Sequence, residues 1–269
     1  MISKLLDLAY YGEVFFSRIQ GIASGNPSRN GEYRLIRCLR DVVNFAVDGG
    51  ANRGDWTTRL LAETKGRAEV ACVEPDPRNV ELIRLLFQGQ ANVTVHQAAL
   101  SDSIGSASFL AGEDEGCGSG HLVSASGPSS FEVATVTLDE LSHKHDDVGF
   151  DLVKLDVEGA EISALLGAER LFRSSMLGTI QIEYNSTWLL SGRRLKELFE
   201  FALDHGYALL AATPFGFAHY PRYGEGLEDY RMRNFVLARA DHLPLLKPIA
   251  ASGRAKVEAR RAIRSSHRH

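Results

Sequence analysis

Short apolar runs alternate along the chain with segments of helical periodicity, an order typical of a mainly parallel α/β sheet. One run ends at Asp48 and leads directly into a glycine-rich turn, and later runs also end in acids such as Glu74 and Glu183. The last two predicted strands cover residues 208–213 and 234–239. Their connection is too short for a helical crossover, so we expect this pair to be antiparallel.

The segments that flank these strands differ from them in pattern. Residues 1–20 place apolar side chains near helical spacing, and a second helix is predicted over residues 32–42. We therefore assign residues 1–43 to an N-terminal helical extension that packs on the core or offers a surface for self-association. Residues 44–240 form the main domain. Residues 241–269 form a tail that is basic near its end.

Composition excludes several classes of protein. The chain has 269 residues, of which 44% are hydrophobic and 24% charged, and its formal charge of -4 gives no general attraction to nucleic acid. Cys38, Cys72 and Cys117 are widely spaced without a CxxC pair, which argues against a disulfide framework or a zinc site. No apolar run is long enough to cross a bilayer and no signal peptide is recognised, so we expect a cytoplasmic protein.

The turn after the first strand has the character of a cofactor site. Gly50 and Gly54 allow sharp turns and close approach of a ligand, and Asn52 tolerates a left-handed conformation. The G-x-G-x-x-G spacing of a dinucleotide site is absent. Asp48 would repel a phosphate but suits the ammonium or sulfonium of S-adenosylmethionine (SAM), which we therefore favour over NAD. An ordinary turn in which Asp48 accepts backbone N–H bonds is the alternative.

Two further acids are candidates for nucleoside contacts. Glu74 ends the second strand, 20 residues after Gly54, where a carboxylate can accept hydrogen bonds from ribose hydroxyls. Asp102 follows the third strand and is a candidate acceptor for the adenine amino group. The residues around Asp102 are also good turn formers, so a purely local role is an equal alternative.

The catalytic candidates are Asp156, Glu183 and His121, in that order. Asp156 ends a buried strand at the expected switch point of the sheet, where ligands bind in open α/β folds. Glu183 ends the next strand, and His121 lies in the polar segment 111–131. A divalent cation between Asp156 and Glu183 is an alternative that we rank below a metal-free site. Asp156 as a helix cap and His121 as a surface residue are the structural alternatives.

The order and spacing of several motifs give a more specific indication. In chain order they read VDGGANRGD, VEPDP, AALSD, VTLDEL, DLVKLDVEGAE and IQIEYN. Over residues 44–240 the chain resembles the FkbM family of SAM-dependent methyltransferases, and KLDVEGAE at 154–161 is the most specific piece. The resemblance implies a class I methyltransferase fold, with SAM bound across the first three strand ends. It also implies O-methylation of a hydroxyl on a sugar or polyketide-type compound.

By this resemblance, Asp48, Gly50 and Asn52 face the methionine part of SAM, Glu74 the ribose and Asp102 the adenine. We expect a single α/β domain with a mainly parallel seven-stranded sheet whose last strand is antiparallel. The expected function is O-methylation of a small-molecule hydroxyl acceptor such as a sugar, a glycan or a polyketide-like compound, with no nucleic-acid partner. The alternatives are an NAD-dependent oxidoreductase and a noncatalytic scaffold.

Two stretches are expected to close the acceptor pocket, because both are polar or aromatic and lie between strands whose ends converge. The first is the long segment 111–131, and the second is the aromatic loop 214–233. The family pattern does not account for the segment 111–131, nor for the terminal helices and the basic tail.

Overall fold

A computed structural model describes residue 22 and residues 24–112, 120–123, 129–247 and 249–250. The helix predicted over residues 1–20, Cys117 and the basic end of the tail lie outside the described residues. Within these ranges, no helix has both the length and the apolar character needed to span a membrane.

The described residues form thirteen strands, which belong to two sheets. In chain order they are β1 Phe45–Gly49, β2 Glu69–Glu74, β3 Val93–Gln97, β4 Ala99–Leu100, β5 Gly105–Leu110, β6 His121–Val123, β7 Ser130–Val136, β8 Phe150–Leu155, β9 Leu177–Tyr184, β10 Ala208–Thr213, β11 Gly216–His219, β12 Arg233–Ala238 and β13 Ile249–Ala250.

The main sheet has the order β13-β11-β10-β12-β9-β8-β1-β2-β3 in the described part of the chain. Strands β3, β2, β1, β8 and β9 are parallel neighbours. Strand β12 is antiparallel to both β9 and β10, which confirms the expected antiparallel pair. The expected seven-stranded sheet is therefore present, and the short strands β11 and β13 extend it at one edge.

A second sheet of four strands, in the order β4-β7-β5-β6, corrects the expectation for residues 111–131. The low periodicity of this segment in the sequence predicts a long loop. Residues 121–123 instead form β6, which pairs antiparallel with β5. Gly120 allows this approach, because a Cβ there would lie 2.5 Å from the Phe109 ring. Residues 113–119 and 124–128 lie outside the described residues.

Helices cover both faces of the main sheet. They are α1 Glu32–Leu39, α2 Asp55–Glu63, α3 Pro77–Leu86, α4 Leu138–Lys144, α5 Glu161–Leu166, α6 Glu169–Arg173, α7 Thr187–Leu190, α8 Leu195–Asp204 and α9 Leu243–Leu246. One core joins Ala46 of β1 to apolar residues of α1, α2 and α3. The other joins Val47 to residues of α4, α5 and α8. Burial on both faces explains why β1 reads as a continuous apolar run.

The exits of β1 and β8 lie unusually close together. Gly50 has φ +71°, and a Cβ at this position would lie 1.8 Å from the backbone oxygen of Asp156. Only glycine fits here, because the position combines a left-handed conformation with direct backbone contact. The turn after β1 is thus packed against the turn after β8, at the carboxyl edge of the sheet.

Candidate functional site

A cavity of about 500 Å³ lies at the carboxyl ends of the parallel strands. Five of the residues predicted from the sequence line this cavity. They are Gly50, Asn52, Glu74, Asp156 and Glu183. The fold therefore brings together the turn after β1 and acids at the ends of β2, β8 and β9, as expected for the carboxyl edge of an open α/β sheet.

Glu74 connects two of the turns that form the cavity wall. Its carboxylate accepts hydrogen bonds from the backbone N–H of Asn52 at 2.8 Å and of Asp76 at 2.9 Å. The side chain is 5% exposed, and burial raises its pKa. Asn52 adopts φ +49°, the left-handed conformation expected of it. Glu74 thus has a structural role in the turns, and its predicted contact with a ribose stays a prediction.

Gly54 and Asp102 lie away from the cavity wall. Gly54 has φ +81°, precedes α2 and packs against Phe87, whose ring would lie 2.8 Å from an added Cβ. Asp102 is exposed and accepts hydrogen bonds from the hydroxyls of Ser101 and Ser103 at 3.4 and 3.0 Å. These short-range bonds agree with the turn-forming alternative for Asp102. Its predicted contact with adenine stays a prediction.

His121 is the first residue of β6 and does not line the cavity, although its neighbours Gly120 and Leu122 do. Successive side chains of a strand point to opposite faces, which accounts for this difference. The structure therefore does not bring His121 to the same wall as Asp156 and Glu183.

Asp48 is completely buried and lies behind the cavity wall. It accepts hydrogen bonds from the Lys154 ammonium at 3.3 Å and from the Thr57 hydroxyl at 2.7 Å. Burial raises the pKa of Asp48, and Lys154 and Thr57 oppose this effect. The charge of Asp48 is therefore already compensated within the chain, which weakens the expectation that it faces a cationic ligand directly.

Lys154 was not identified from the sequence. It lies in the buried strand β8 and contacts both Asp48 and Asp156 at 3.3 Å. Burial alone would lower the pKa of Lys154, but the surrounding carboxylates raise it overall, so the ammonium stays charged. A lysine inside an apolar run is the signal that sequence reasoning overlooked, because lysine is almost never fully buried unless it is paired.

Three carboxyl groups converge where β8 and β9 end. Ligand oxygens of Asp156, Glu158 and Glu183 all lie within 4.8 Å of one another. Burial, followed by Asp156 and Glu158, raises the pKa of Glu183 to about 10, and burial and Asp156 raise that of Glu158 to about 7. The Asn185 amide donates to both glutamates, at 3.1 and 2.8 Å. Glu183 therefore holds a proton at neutral pH.

This group of oxygens has a spacing that could also accommodate a divalent cation, since such ions prefer oxygen ligands. Lys154 already places one positive charge 3.3 Å from Asp156. The metal-free site stays a prediction.

Residues from the N-terminal side also line the cavity, which the sequence did not indicate. They are Gly25, Pro27, Asn30, Glu32 and Tyr33. Glu32 accepts a hydrogen bond from the Gln181 amide at 3.1 Å, and burial raises its pKa to about 7. Gly31 anchors the segment to the end of β10, because a Cβ there would lie 2.8 Å from the Thr213 nitrogen.

The aromatic loop 214–233 contributes less than expected. Within it, only Met232 lines the cavity. Tyr230 stacks on Tyr184 at 5.7 Å between ring centroids, and Phe215 is 67% exposed. The aromatic side chains of this loop thus pack on the core or face solvent rather than forming the pocket wall.

Within the part of the chain that the structure describes, one donor on the wall lacks a protein partner. The Trp56 indole nitrogen is buried and has no hydrogen-bond partner among the described residues, while Trp56 itself lines the cavity and is 3% exposed. A buried donor left unsatisfied is costly, so it fits a site whose ligand supplies an acceptor.

Comparison with known proteins relates this chain to methyltransferases. Residues 48–209 match the family model described as the methyltransferase FkbM domain. The 2-O-methyltransferase NoeI of Sinorhizobium fredii is 26% identical over 191 residues, which cover 65% of this chain and 76% of NoeI.

Solved structures of methyltransferases are also similar to this chain. A methyltransferase FkbM from Methylobacillus flagellatus KT aligns with a TM-score of 0.48 and 20% identity, over 73% of this chain and 44% of that one. The chain thus spans less than half of that protein. A precorrin-6y C5,15-methyltransferase from Geobacter metallireducens GS-15 aligns with a TM-score of 0.42 and 13% identity, over 77% and 87% of the two chains.

Proposed function

The chain belongs to the FkbM methyltransferase family, and from this premise we propose that it methylates a hydroxyl of a sugar or natural-product-type small molecule, with SAM as the methyl donor. The strand order and the antiparallel β12 agree with the class I methyltransferase fold expected of the family. The printed name of NoeI, a 2-O-methyltransferase, supports oxygen as the acceptor atom.

The residues around the cavity fit SAM. The cofactor, when bound, supplies an electrophilic methyl group on a cationic sulfur. In the proposed site the turn Gly50–Asn52, Glu74 and the Trp56 indole N–H would hold it. The unpartnered Trp56 donor suits a carboxylate such as that of the methionine part. The carboxyl-rich wall suits the positive charge, and no G-x-G-x-x-G turn is present for a dinucleotide.

The acceptor hydroxyl would bind next to the carboxyl groups of Asp156 and Glu183. Glu183 carries a proton at neutral pH and can donate a hydrogen bond, whereas Asp156 is held by the Lys154 ammonium at 3.3 Å. Asp156 is therefore the group that accepts the hydroxyl proton or orients the oxygen toward the methyl group.

The charge of the wall supports an acceptor without phosphate groups. In the described part of the chain, seven carboxyl side chains, of which Glu183 is protonated, and two cationic side chains line the cavity, so negative charge predominates. A wall of this sign repels phosphate and favours neutral or positively charged ligands. This argues against RNA or DNA, whose binding depends on neutralising phosphates.

The observation that carries the proposal is the convergence of Asp156 and Glu183 with the glycine turn at one cavity. The test is transfer of a radiolabelled methyl group from SAM to a panel of neutral sugars and polyketide glycosides, with sugar phosphates and total RNA as controls. We expect transfer to a neutral hydroxyl compound and none to the controls. Labelling of RNA alone, or no transfer to any compound by a protein that binds SAM, would contradict the proposed acceptor class.

A further inference from the structure

Lys154 contacts three groups that belong to different parts of the site. Its ammonium donates to the Asp48 carboxylate at 3.3 Å and to the backbone oxygen of Gly50 at 3.1 Å. It also lies 3.3 Å from a carboxylate oxygen of Asp156. The lysine side chain is only 7% exposed. A single buried cation thus joins β1, the glycine turn and the end of β8.

The pairing of β1 with β8 explains how this arrangement forms. Asp48 and Lys154 are opposite each other in the parallel register of the two strands. Asp48 is further fixed by the Thr57 hydroxyl of α2 at 2.7 Å. The result is a continuous path of polar contacts from α2, through Asp48 and Lys154, to Asp156 on the cavity wall.

The stability of the fold requires only some of these polar contacts. A buried lysine needs one well-formed ion pair, which Asp48 provides. The Asp156 side chain is 31% exposed and could be hydrated without help from Lys154. The contact of Lys154 with the Asp156 carboxylate therefore restricts the position of Asp156. The hydrogen bond from Lys154 to the Gly50 oxygen links that position to the glycine turn.

We propose that Lys154 is a positioning residue, which holds the Asp156 carboxylate and the Gly50 turn in one fixed arrangement so that acceptor oxygen and methyl donor are aligned. This inference rests on the proposed function. Alignment of reacting groups contributes strongly to the rate, and a misplacement of about 1 Å can cost about 100-fold. Lys154 acts through Asp156 and the turn, and does not itself take part in proton transfer.

The test compares Asp48→Asn with the double variant Asp48→Asn/Lys154→Met. Both lack the Asp48 charge, so their difference reports on Lys154 alone. Replacing both members of a buried ion pair by neutral groups is often tolerated, whereas Asp48→Asn leaves the buried Lys154 with Asp156 as its remaining ion-pair partner. We expect the double variant to unfold at a temperature similar to or above that of Asp48→Asn. Its single-turnover methyl transfer should nevertheless be about 100-fold slower, with a smaller change in SAM affinity measured by calorimetry.

Equal single-turnover rates of the two variants would overturn the proposal and leave Lys154 as a structural counterion. Thr179→Val is the matched control, because it removes a buried hydrogen bond to His242 of 2.8 Å. It should lower stability without lowering the rate. If the double variant does not fold, a crystal structure of the wild-type protein tests whether Lys154 holds the Asp156 carboxylate. An Asp156 side chain turned away from Lys154 would refute the proposal. Failure of the wild type to bind SAM would instead refute the proposed function.

Discussion

Glu183 has the surroundings of a neutral acid rather than of a carboxylate. It is partly buried, and Asp156 and Glu158 place two further carboxyl groups against it. These influences raise its pKa from 4.5 to about 10. The Asn185 amide opposes this shift by donating to Glu183 at 2.8 Å. Burial and like charge outweigh the hydrogen bond, so the group stays protonated across the physiological pH range.

This shift predicts a dependence of stability on pH. Between 4.5 and about 10 the folded state keeps a proton on Glu183 that the unfolded state releases, so this group lowers the free energy of unfolding as pH rises. Glu183→Gln should remove that contribution. We expect the melting temperature of the variant minus that of wild type to be larger at pH 9 than at pH 5. Glu200→Gln, at a side chain that is 58% exposed, is the control. The same difference from wild type at both pH values would show that Glu183 is not protonated as described.

Asp156 is the residue on which the proposed chemistry depends. The structure removes the alternative that it caps the following helix, because α5 begins at Glu161 and its N-cap is Ala160. If Asp156 accepts the hydroxyl proton, Asp156→Asn should lower single-turnover methyl transfer by about 10² to 10⁴-fold, the usual contribution of a general base. SAM affinity should change little. Wild-type transfer by a folded Asp156→Asn variant, with a genuine acceptor, would exclude this role.

At the scale of elements, the contact between the exits of β1 and β8 is the critical one. Gly50→Ala would introduce a Cβ 1.8 Å from the Asp156 backbone oxygen at φ +71°. Gly66 is a matched control, with φ +72° and open space around it. Strain from a left-handed residue costs about 1–3 kcal/mol. We expect Gly66→Ala to lose no more than this in urea unfolding, and Gly50→Ala to lose more and to bind SAM weakly. Equal losses would mean that the β1 and β8 exits are not in close contact.

The strands that form the site were predictable, whereas the elements that complete its wall were not. Buried parallel strands give continuous apolar runs, and their carboxyl ends must meet at one edge, which located Asp156 and Glu183. Strand β6, which contributes Leu122 to the wall, has three residues, too few for any periodicity to show. The segment around Glu32 has good turn chemistry, but turn chemistry does not tell where the turn packs.

At the scale of the whole molecule, the cavity combines segments that are far apart in the chain. The N-terminal segment, the second sheet and Met232 all contribute to one wall. The matched family domain ends before Met232 and begins after Glu32. We expect the N-terminal segment and Met232, which lie outside the matched domain, to determine which acceptor binds. Their position depends on tertiary contacts, such as that of Gly31 with β10, that no local pattern encodes.

The central claim, that the cavity binds SAM, is tested most directly by calorimetric titration of the wild-type protein with SAM, its demethylated product and NAD. We predict that one SAM or product molecule binds per chain, with a dissociation constant below about 1 mM, and that NAD does not bind. Glu74→Ala should weaken SAM binding about tenfold or more, as expected for a lost charge-assisted hydrogen bond. Binding of NAD in place of SAM, or no binding of SAM and its product at about 1 mM by folded protein, would contradict the account.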